Sequence, residues 1–396
     1  MKTLIELYDE RAIENVIGPE VFRPEKVIYI CPDDIARDKR ARENLNEFLA
    51  SRGLNIKTEF YAASLYKSDR ILAQLRKIAA ANTDCAMDVT GGTDAALIAA
   101  GMFCSETGIP TFTYSRTRNM FYDISNAPFA DGVPCELVYN VEEFFTMTGG
   151  KMRPGRVDNS VLSSYLPSFD GFFKVFLANR SRWNDDIIFM QRISQSPRGE
   201  DIPLRVSGAY TQKGEHGSRI NADEAFLHDL EGIGYIRDLQ IVTGEKVSFR
   251  FADHNVRAWL RDVGSVLELY MYKACRDSGI FNDVISSAVV DWDGTVGHDS
   301  VSNELDAVAS RGVVPLFISC KACDVKTEAL NELSILKERF GGKGAKAAIA
   351  TTEPCNSAAR HRAAQLGIAV IDLEELQSGM AAERLKVIMK VIDSIE

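Results

Sequence analysis

The stretch that most constrains the fold runs from Asn303 to Lys321, because it reads as two strands joined by a tight turn. Side chains alternate between the faces of a strand, so Glu304 and Asp306 are expected on one face and Leu305 on the other. Gly312 predicts the turn, and the apolar run that follows it ends with Lys321. If the strands pair as a hairpin, two carboxylates and an ammonium group meet at one sheet edge.

This set of charges suits phosphodiester chemistry, although a second interpretation is open. Carboxylate oxygens bind hard divalent metals, and a neighbouring lysine can stabilise charge on a phosphate. The same residues also fit a solvated sheet edge with loose ion pairs. Glu268 favours the first interpretation. It lies at the border of the apolar stripe of a helix predicted from Val256 to Cys275, where an unpaired carboxylate is costly.

A Cys-x-x-Cys pair, Cys320 and Cys323, follows the second strand. Strand alternation places Cys320 on the face opposite Ser319 and Lys321, so we interpret the pair as structural. The other cysteines are scattered, which is typical of reduced thiols in a cytoplasm. No apolar run is long enough to span a bilayer. We therefore expect a cytoplasmic protein with no membrane partner.

The N-terminal part alternates predicted strands and helices, the pattern of a doubly wound, Rossmann-like sheet. The predicted strands are 27–31, 55–61, 84–89 and 111–115, and the predicted helices are 35–52, 67–81 and 95–106. Between Val141 and Asn255 the pattern predicts further helices and then a β-hairpin around Gly244. A helix followed by a hairpin resembles a winged-helix element. We favour a coupling role for it, because the hairpin has few basic residues.

The turn Thr90-Gly91-Gly92-Thr93 directly follows a predicted strand and opens a helix. Free backbone N–H groups and the helix dipole make such a turn suitable for phosphate. A tight turn that needs glycine for close packing is the alternative interpretation. A dinucleotide is disfavoured, because GxGxxG is absent and the next strand is followed by Arg116 and Arg118 instead of an acid for ribose hydroxyls.

The net charge of −10 opposes passive binding to nucleic acid, so any substrate path needs local cations. Candidates for this path are Lys337, Arg339, Lys343 and Lys346. The same residues also fit a solvated helix end and loop.

The C-terminal motifs resemble the PD-(D/E)xK restriction-endonuclease-like domain, and more narrowly the nuclease domain of CARF-domain effector nucleases in type III CRISPR defence. The matching stretches are Gly264-Ser265-Val266-Leu267-Glu268-Leu269-Tyr270, Asn303-Glu304-Leu305-Asp306 and Phe317-Ile318-Ser319-Cys320-Lys321. The resemblance implies catalytic roles for Glu268, Glu304, Asp306 and Lys321, with Mg²⁺ or Mn²⁺ held by the three acids. Ser319 departs from the pattern, because the family has an acid two residues before the lysine.

The N-terminal part looks like a CARF domain, a Rossmann-like sensor that binds cyclic oligoadenylate across a homodimer interface. Asp88-Val89-Thr90-Gly91-Gly92-Thr93 resembles the family's ligand loop. The resemblance implies that Thr90, Gly91, Gly92 and Thr93 contact the ligand. Cyclic tetra-adenylate is the activator that the family implies most often.

Together these features predict an α/β protein with a CARF domain at 1–140, a connecting region at 141–255 and a nuclease domain at 256–396. The expected function is a homodimeric, metal-dependent endonuclease activated by cyclic oligoadenylate. Its expected substrates are single-stranded DNA and RNA, and nicking of duplex DNA is a further activity that the family implies. Two alternatives are a ligand-sensing transcriptional regulator with an inactive nuclease fold, and a ring-opening enzyme that acts within the Rossmann-like part.

Overall fold

The N-terminal part is built around a mostly parallel sheet with the strand order β3–β2–β1–β4–β5–β6. A computed structural model of the chain describes residues 1–155, 158–195, 203–214, 217–292 and 302–390. Strands β1–β6 span Thr3–Leu7, Lys26–Cys31, Lys57–Ala62, Cys85–Asp88, Thr111–Ser115 and Met120–Ser125. Helices α1–α5 span Ile17–Phe22, Asp33–Arg37, Lys39–Ser51, Ser68–Ala81 and Asp94–Thr107. Strands β1 to β5 are parallel, and β6 runs antiparallel to β5.

The central strand, β1, is missing from the strands that the sequence predicted. It pairs with both β2 and β4, and Leu4 and Ile5 are fully buried in the clusters on its two faces. Because Glu6 interrupts the apolar run, the pattern of apolar residues did not predict this strand. Because the strand order reverses between β1 and β4, their carboxyl ends open a crevice, where sheets of this type bind ligands.

The middle of the chain contains helices packed against small antiparallel sheets. Helices α6–α10 span Val141–Thr146, Asn159–Ala178, Trp183–Ile193, Glu224–Gly232 and His254–Trp259. Strands β7–β12 span Lys151–Pro154, Arg205–Ala209, Thr211–Lys213, Arg219–Asn221, Ile236–Val242 and Lys246–Phe251. The expected hairpin is formed by β11 and β12, and β8 pairs with the other edge of β12.

The C-terminal part is a mixed sheet with the strand order β17–β16–β15–β14–β13–β7. Strands β13–β17 span Asp283–Asp291, Ser302–Arg311, Val314–Lys321, Lys346–Thr351 and Ile368–Ile371. Helices α11–α15 span Ser265–Ser278, Thr327–Gly341, Ser357–Gln365, Leu373–Gln377 and Ala381–Lys390. The expected hairpin is β14–β15, and its turn residue Gly312 has a φ of +56°. The expected helix from Val256 to Cys275 is divided into α10 and α11.

The segment that leads from the N-terminal sheet to the middle of the chain also belongs to the C-terminal core. Strand β7 pairs with β13, and Phe145 of α6 is fully buried. The Phe145 ring centroid lies 5.0 Å from that of Phe340 and 6.3 Å from that of Phe317. The C-terminal sheet thus receives its edge strand from residues that precede the middle helices. The division into the three expected sequence ranges stays a prediction.

In the part of the chain that the structure describes, no helix is both long and apolar enough to cross a bilayer.

The aromatic cluster around Phe145 gives a test of this packing. We expect Phe145→Ala to lower the free energy of unfolding by about 3–5 kcal/mol, because a large buried ring leaves a cavity. Denaturant unfolding measures the change. Val387→Ala, at an exposed position on α15, is the control and should change stability by less than about 0.5 kcal/mol. Equal effects of the two substitutions would contradict the packing described for α6.

Candidate functional site

The first candidate site lies where the pairing between β14 and β15 ends, at Ala307 and Ile318. Asp306 is the next residue beyond this end. Leu305 packs in the core cluster that contains α12 side chains, whereas Ala307 packs in the cluster that contains α11 side chains. Strict alternation would place both on one face, so β14 rotates at Asp306. The ladder between β13 and β14 also skips this position, opposite Ser287, whose φ is +48°.

This rotation directs the Asp306 carboxylate at the end of β15. Its Oδ2 accepts a hydrogen bond from the backbone N–H of Cys320 at 2.6 Å and lies 3.3 Å from Ser319 Oγ. The Lys321 Nζ lies 3.9 Å from the same oxygen. Burial raises the pKa of Asp306, and the Cys320 N–H and the Lys321 ammonium partly oppose that shift. A buried acid thus lies beside a half-buried cation.

Glu304 and Glu268 complete the predicted set. Glu304 Oε1 accepts a hydrogen bond from the Ser287 hydroxyl at 3.3 Å, and its charge raises the pKa of Asp306 further. Glu268 lies in the first turn of α11. Burial raises the pKa of the Cys320 thiol, and the charges of Asp306 and Glu268 add to that shift. Asp306 and Glu268 therefore act on the same thiol.

The position of Cys320 follows the alternation expected for β15. Cys320 packs in the core cluster that contains Leu316 and Ile318, whereas Phe317 packs in the cluster on the other face of the sheet. The Asp306 carboxylate contacts the Cys320 backbone N–H and the side chains of Ser319 and Lys321. Cys320 is buried, and burial keeps its thiol protonated.

The acids do not form a ready-made metal site. Among the described residues, no group of three or more His, Cys, Asp or Glu side chains is placed to hold a metal ion. Asp306 is engaged by the Cys320 N–H, and Glu304 by the Ser287 hydroxyl. The metal-binding role of Glu268, Glu304 and Asp306 therefore stays a prediction, as do the catalytic roles of these acids and Lys321.

The second candidate site is a cleft of about 1150 Å³ at the carboxyl end of β1, at the switch point of the N-terminal sheet. Gly92 and Thr93 line it, together with Tyr8. Gly92 has a φ of +96°, and a Cβ there would lie 2.9 Å from Leu7 Cβ. Only glycine fits this approach without strain. The turn leads into α5, whose first N–H groups can bind an anion.

Thr90 and Gly91 lie behind the wall of this cleft. The Thr90 hydroxyl donates to Asp88 and accepts a hydrogen bond from the Tyr114 N–H at 2.8 Å. A Cβ on Gly91 would lie 2.8 Å from the Leu7 carbonyl oxygen. These contacts give both residues a role in holding the turn against β1. Ligand contact by Thr90, Gly91, Gly92 and Thr93 stays a prediction.

Three buried acids below this turn, Glu6, Asp88 and Glu14, were not predicted as a group. The Thr90 N–H donates to Asp88 Oδ1 at 2.7 Å. Burial raises the pKa of Asp88 to about 7, and the charge of Glu14 adds to the shift; burial also raises the pKa of Glu6, with contributions from Asp88 and Glu14. Acids that end two buried strands, Glu6 in β1 and Asp88 in β4, were the sequence signal that could have located the cluster.

Arg116 pairs with Glu14, at the border of the acidic cluster. An arginine after a strand of this sheet could bind phosphate, but this ion pair engages the Arg116 guanidinium inside the protein, where its side chain is only 15% exposed. We therefore assign Arg116 to neutralising Glu14.

Comparisons with known proteins support the fold. No protein-family model matches the chain, and no curated protein matches its sequence. Protein VC1899 from Vibrio cholerae is 17% identical and aligns over 99% of each chain with a TM-score of 0.74. Can2 from Sulfobacillus thermosulfidooxidans, solved in complex with cyclic tetra-adenylate, is 18% identical. It aligns over 98% of this chain and 97% of its own with a TM-score of 0.68. The expected α/β fold is confirmed, and both solved structures share it over nearly the whole chain.

The buried acids predict a pH dependence of stability. The folded pKa of Asp88, about 7, lies above its ordinary value of 3.8, so folding takes up a proton between these values. The stability that Asp88 contributes is fully present below pH 4 and is lost as the pH rises through 7. We expect the free energy of unfolding to fall less from pH 5 to pH 8 in the Asp88→Asn variant than in the unsubstituted protein. Urea midpoints at both values measure this, and identical losses would contradict the assignment.

Proposed function

We propose that the protein is a nuclease of the CARF effector type, which binds cyclic oligoadenylate in the N-terminal cleft and cleaves phosphodiesters at Asp306 and Lys321. The observation that carries the proposal is the convergence of Lys321, Glu304 and Glu268 on the surroundings of Asp306. The fold adds support, because a protein solved with cyclic tetra-adenylate has the same architecture over nearly its full length.

The chemistry follows from the position of two side chains. The Lys321 ammonium, half-exposed beside Asp306, can contact a non-bridging phosphate oxygen and stabilise the charge that grows there during attack. Asp306 has a raised pKa, so its carboxylate is a stronger base than an ordinary aspartate and can accept a proton from the attacking water. Mg²⁺ or Mn²⁺ is proposed on the resemblance alone, because the described acids form no ready-made site.

The N-terminal cleft suits an anionic ring of nucleotides. Gly92 and Thr93 lie at the N-terminus of α5, and Tyr8 and Tyr66 add aromatic side chains to the lining. We propose cyclic tetra-adenylate as the activator. Single-stranded DNA and RNA are the proposed substrates, and nicking of duplex DNA is a further proposed activity.

The outer face of α5 supports a homodimer. Leu97, Ile98 and Met102 are exposed there, and Ile98 is 60% accessible. The opposite face of the helix is buried in the N-terminal core. A Cβ on Gly101, on the exposed face, would meet no atom within 4 Å. Because α5 begins at the cleft, a second copy packed on this face would cover apolar surface and bring two clefts together.

Cleavage assays test the proposed site. We expect Asp306→Asn to reduce cleavage at least about 100-fold, because the amide cannot accept the proton, while it can still accept the Cys320 hydrogen bond. The substrates are labelled single-stranded DNA, RNA and supercoiled plasmid, with cyclic tetra-adenylate added or withheld and with Mg²⁺, Mn²⁺ or EDTA. Asp69→Asn, at an exposed position, is the matched control.

Two outcomes would reject this site. Full activity of Asp306→Asn would place the chemistry elsewhere. An unsubstituted protein that binds the ligand but cleaves nothing would be a sensor with an inactive nuclease fold, and Ser319, in place of the family's acid, would then be the first residue to examine.

The dimer is tested separately. We expect Ile98→Glu to give a monomer in analytical ultracentrifugation, because a buried carboxylate at an apolar interface is costly. Ile124→Glu changes an exposed isoleucine on β6 in the same way and should leave the dimer intact. An Ile98→Glu protein that still sediments as a dimer would exclude the α5 face as the interface.

A further inference from the structure

The ligand cleft has a second wall that belongs to the C-terminal part of the chain. This wall is made by the last turns of α12, the loop that follows α12, and the residue after β13. Its lining side chains are Trp292, Ile335, Lys337, Glu338, Arg339 and Lys343. It faces Gly92 and Thr93 across the cleft.

Close contacts hold this wall on the N-terminal part. The Lys343 Nζ lies 3.9 Å from Asp9 Oδ2 in the loop after β1. Gly342 has a φ of +66°, and a Cβ there would lie 2.8 Å from Ile13 Cγ2. A Cβ on Gly344 would lie 3.1 Å from Arg116 Nη1. The loop between α12 and β16 is therefore packed directly on the residues that follow β1.

Two cations of this wall are placed to meet an anion. Arg339 and Tyr8 both line the cleft; burial raises the pKa of Tyr8 to about 12, and the charge of Arg339 partly opposes that shift. Lys343 is half-exposed beside Asp9, an almost fully buried acid. Acids line the cleft as well, namely Asp9, Glu10, Asp33 and Glu338. A phosphate would therefore compete with Asp9 for Lys343, so anion binding there changes an existing contact between the two walls.

The second wall is bonded to the strand that carries the candidate catalytic acids. Trp292 Nε1 donates to Asn303 Oδ1 at 2.6 Å, and the Asn303 side chain also donates to Glu332 Oε1 at 2.7 Å. Asn303 directly precedes Glu304 on β14. One hydrogen bond thus connects Trp292, in the second wall, to β14.

The cations of this wall were expected to form a path for the nucleic-acid substrate, and the structure favours the ligand cleft instead. Lys346, which follows the loop, pairs with Leu316, five residues before Lys321 on β15. At 3.3 Å per residue this separation is roughly 16 Å. Lys346 therefore lies at the opposite end of the strand from Lys321.

We propose that Arg339 and Lys343 bind phosphates of the oligonucleotide held on Gly92 and Thr93, and that Trp292 transmits this contact to β14. The inference rests on the proposed function of the cleft. One ligand would then contact both parts of a single protomer. Its affinity would be higher for the arrangement in which both walls close on it, which is the differential affinity that allosteric coupling requires.

Binding of fluorescent cyclic tetra-adenylate tests the two cations. We expect the R339A/K343A double variant to bind at least about ten-fold more weakly than the unsubstituted protein. Its slope of log affinity against log salt should fall by about 0.7 for each lost phosphate contact. The K77A/R276A double variant removes two exposed cations far from the cleft and is the control. R339K/K343R, which keeps both charges, should recover most of the affinity and excludes misfolding as the cause.

Trp292→Phe tests the transmission to β14, because it keeps an aromatic ring and removes the hydrogen bond to Asn303. We expect activation of cleavage at saturating ligand to fall at least about five-fold. The chain has three tryptophans, and Trp183 and Trp259 are each only 2% exposed. The ligand should therefore change the tryptophan emission of the unsubstituted protein and not that of Trp292→Phe.

The outcomes separate the inference from the proposed function. If the unsubstituted protein binds the ligand and R339A/K343A binds it equally well, the second wall has no role in binding and the inference is wrong, while the proposed function stands. If Trp292→Phe is activated normally, the transmission through Asn303 is wrong. If the unsubstituted protein binds no cyclic oligoadenylate, the proposed function fails and the inference fails with it.

Discussion

The antiparallel pairing of β14 with β15 is the interaction on which the C-terminal part depends. These strands lie at the centre of the sheet, with β16 and β17 added on one side and β13 and β7 on the other. The pairing stops at Ala307 and Ile318, and this end leaves Asp306 free to rotate toward the Cys320 N–H. A ladder that continued by regular alternation would have kept Leu305 and Ala307 on one face of the sheet, whereas they pack in different core clusters. The candidate site thus exists because the pairing ends where it does.

The N-terminal part depends on a different constraint, the close approach of the turn at residues 90–93 to β1. Gly91 and Gly92 allow the turn to lie against Leu7, and the acids below it, Glu6 and Asp88, are buried with pKa values above their ordinary range. Buried acids of this kind cost stability in their charged form. The turn that shapes the cleft is therefore held on a cluster that favours protonated carboxyl groups.

Several elements were predicted closely from the sequence. Strand β5 has the bounds expected at 111–115, and helix α4 starts one residue after the helix expected at 67–81 and ends with it. Strand β1 was missed, because Glu6 breaks its apolar run and the acid is tolerated only inside a buried cluster. The prediction of one helix from Val256 to Cys275 was also wrong. Its apolar stripe continues across the break between α10 and α11, so the hydrophobic periodicity does not indicate the break.

The sequence by itself determined the α/β class, the β14–β15 hairpin and the identity of the candidate acids and lysine, because alternation, turn residues and motif spacing are local properties of a chain. Only the tertiary structure decided the neighbours of those residues. It brought Asp306 to the Cys320 backbone N–H, paired Arg116 with Glu14 and placed Arg339 and Lys343 in one cleft with Gly92 and Thr93. Contacts between residues far apart in the chain depend on how strands pair and how helices pack across them, and no local pattern specifies that geometry.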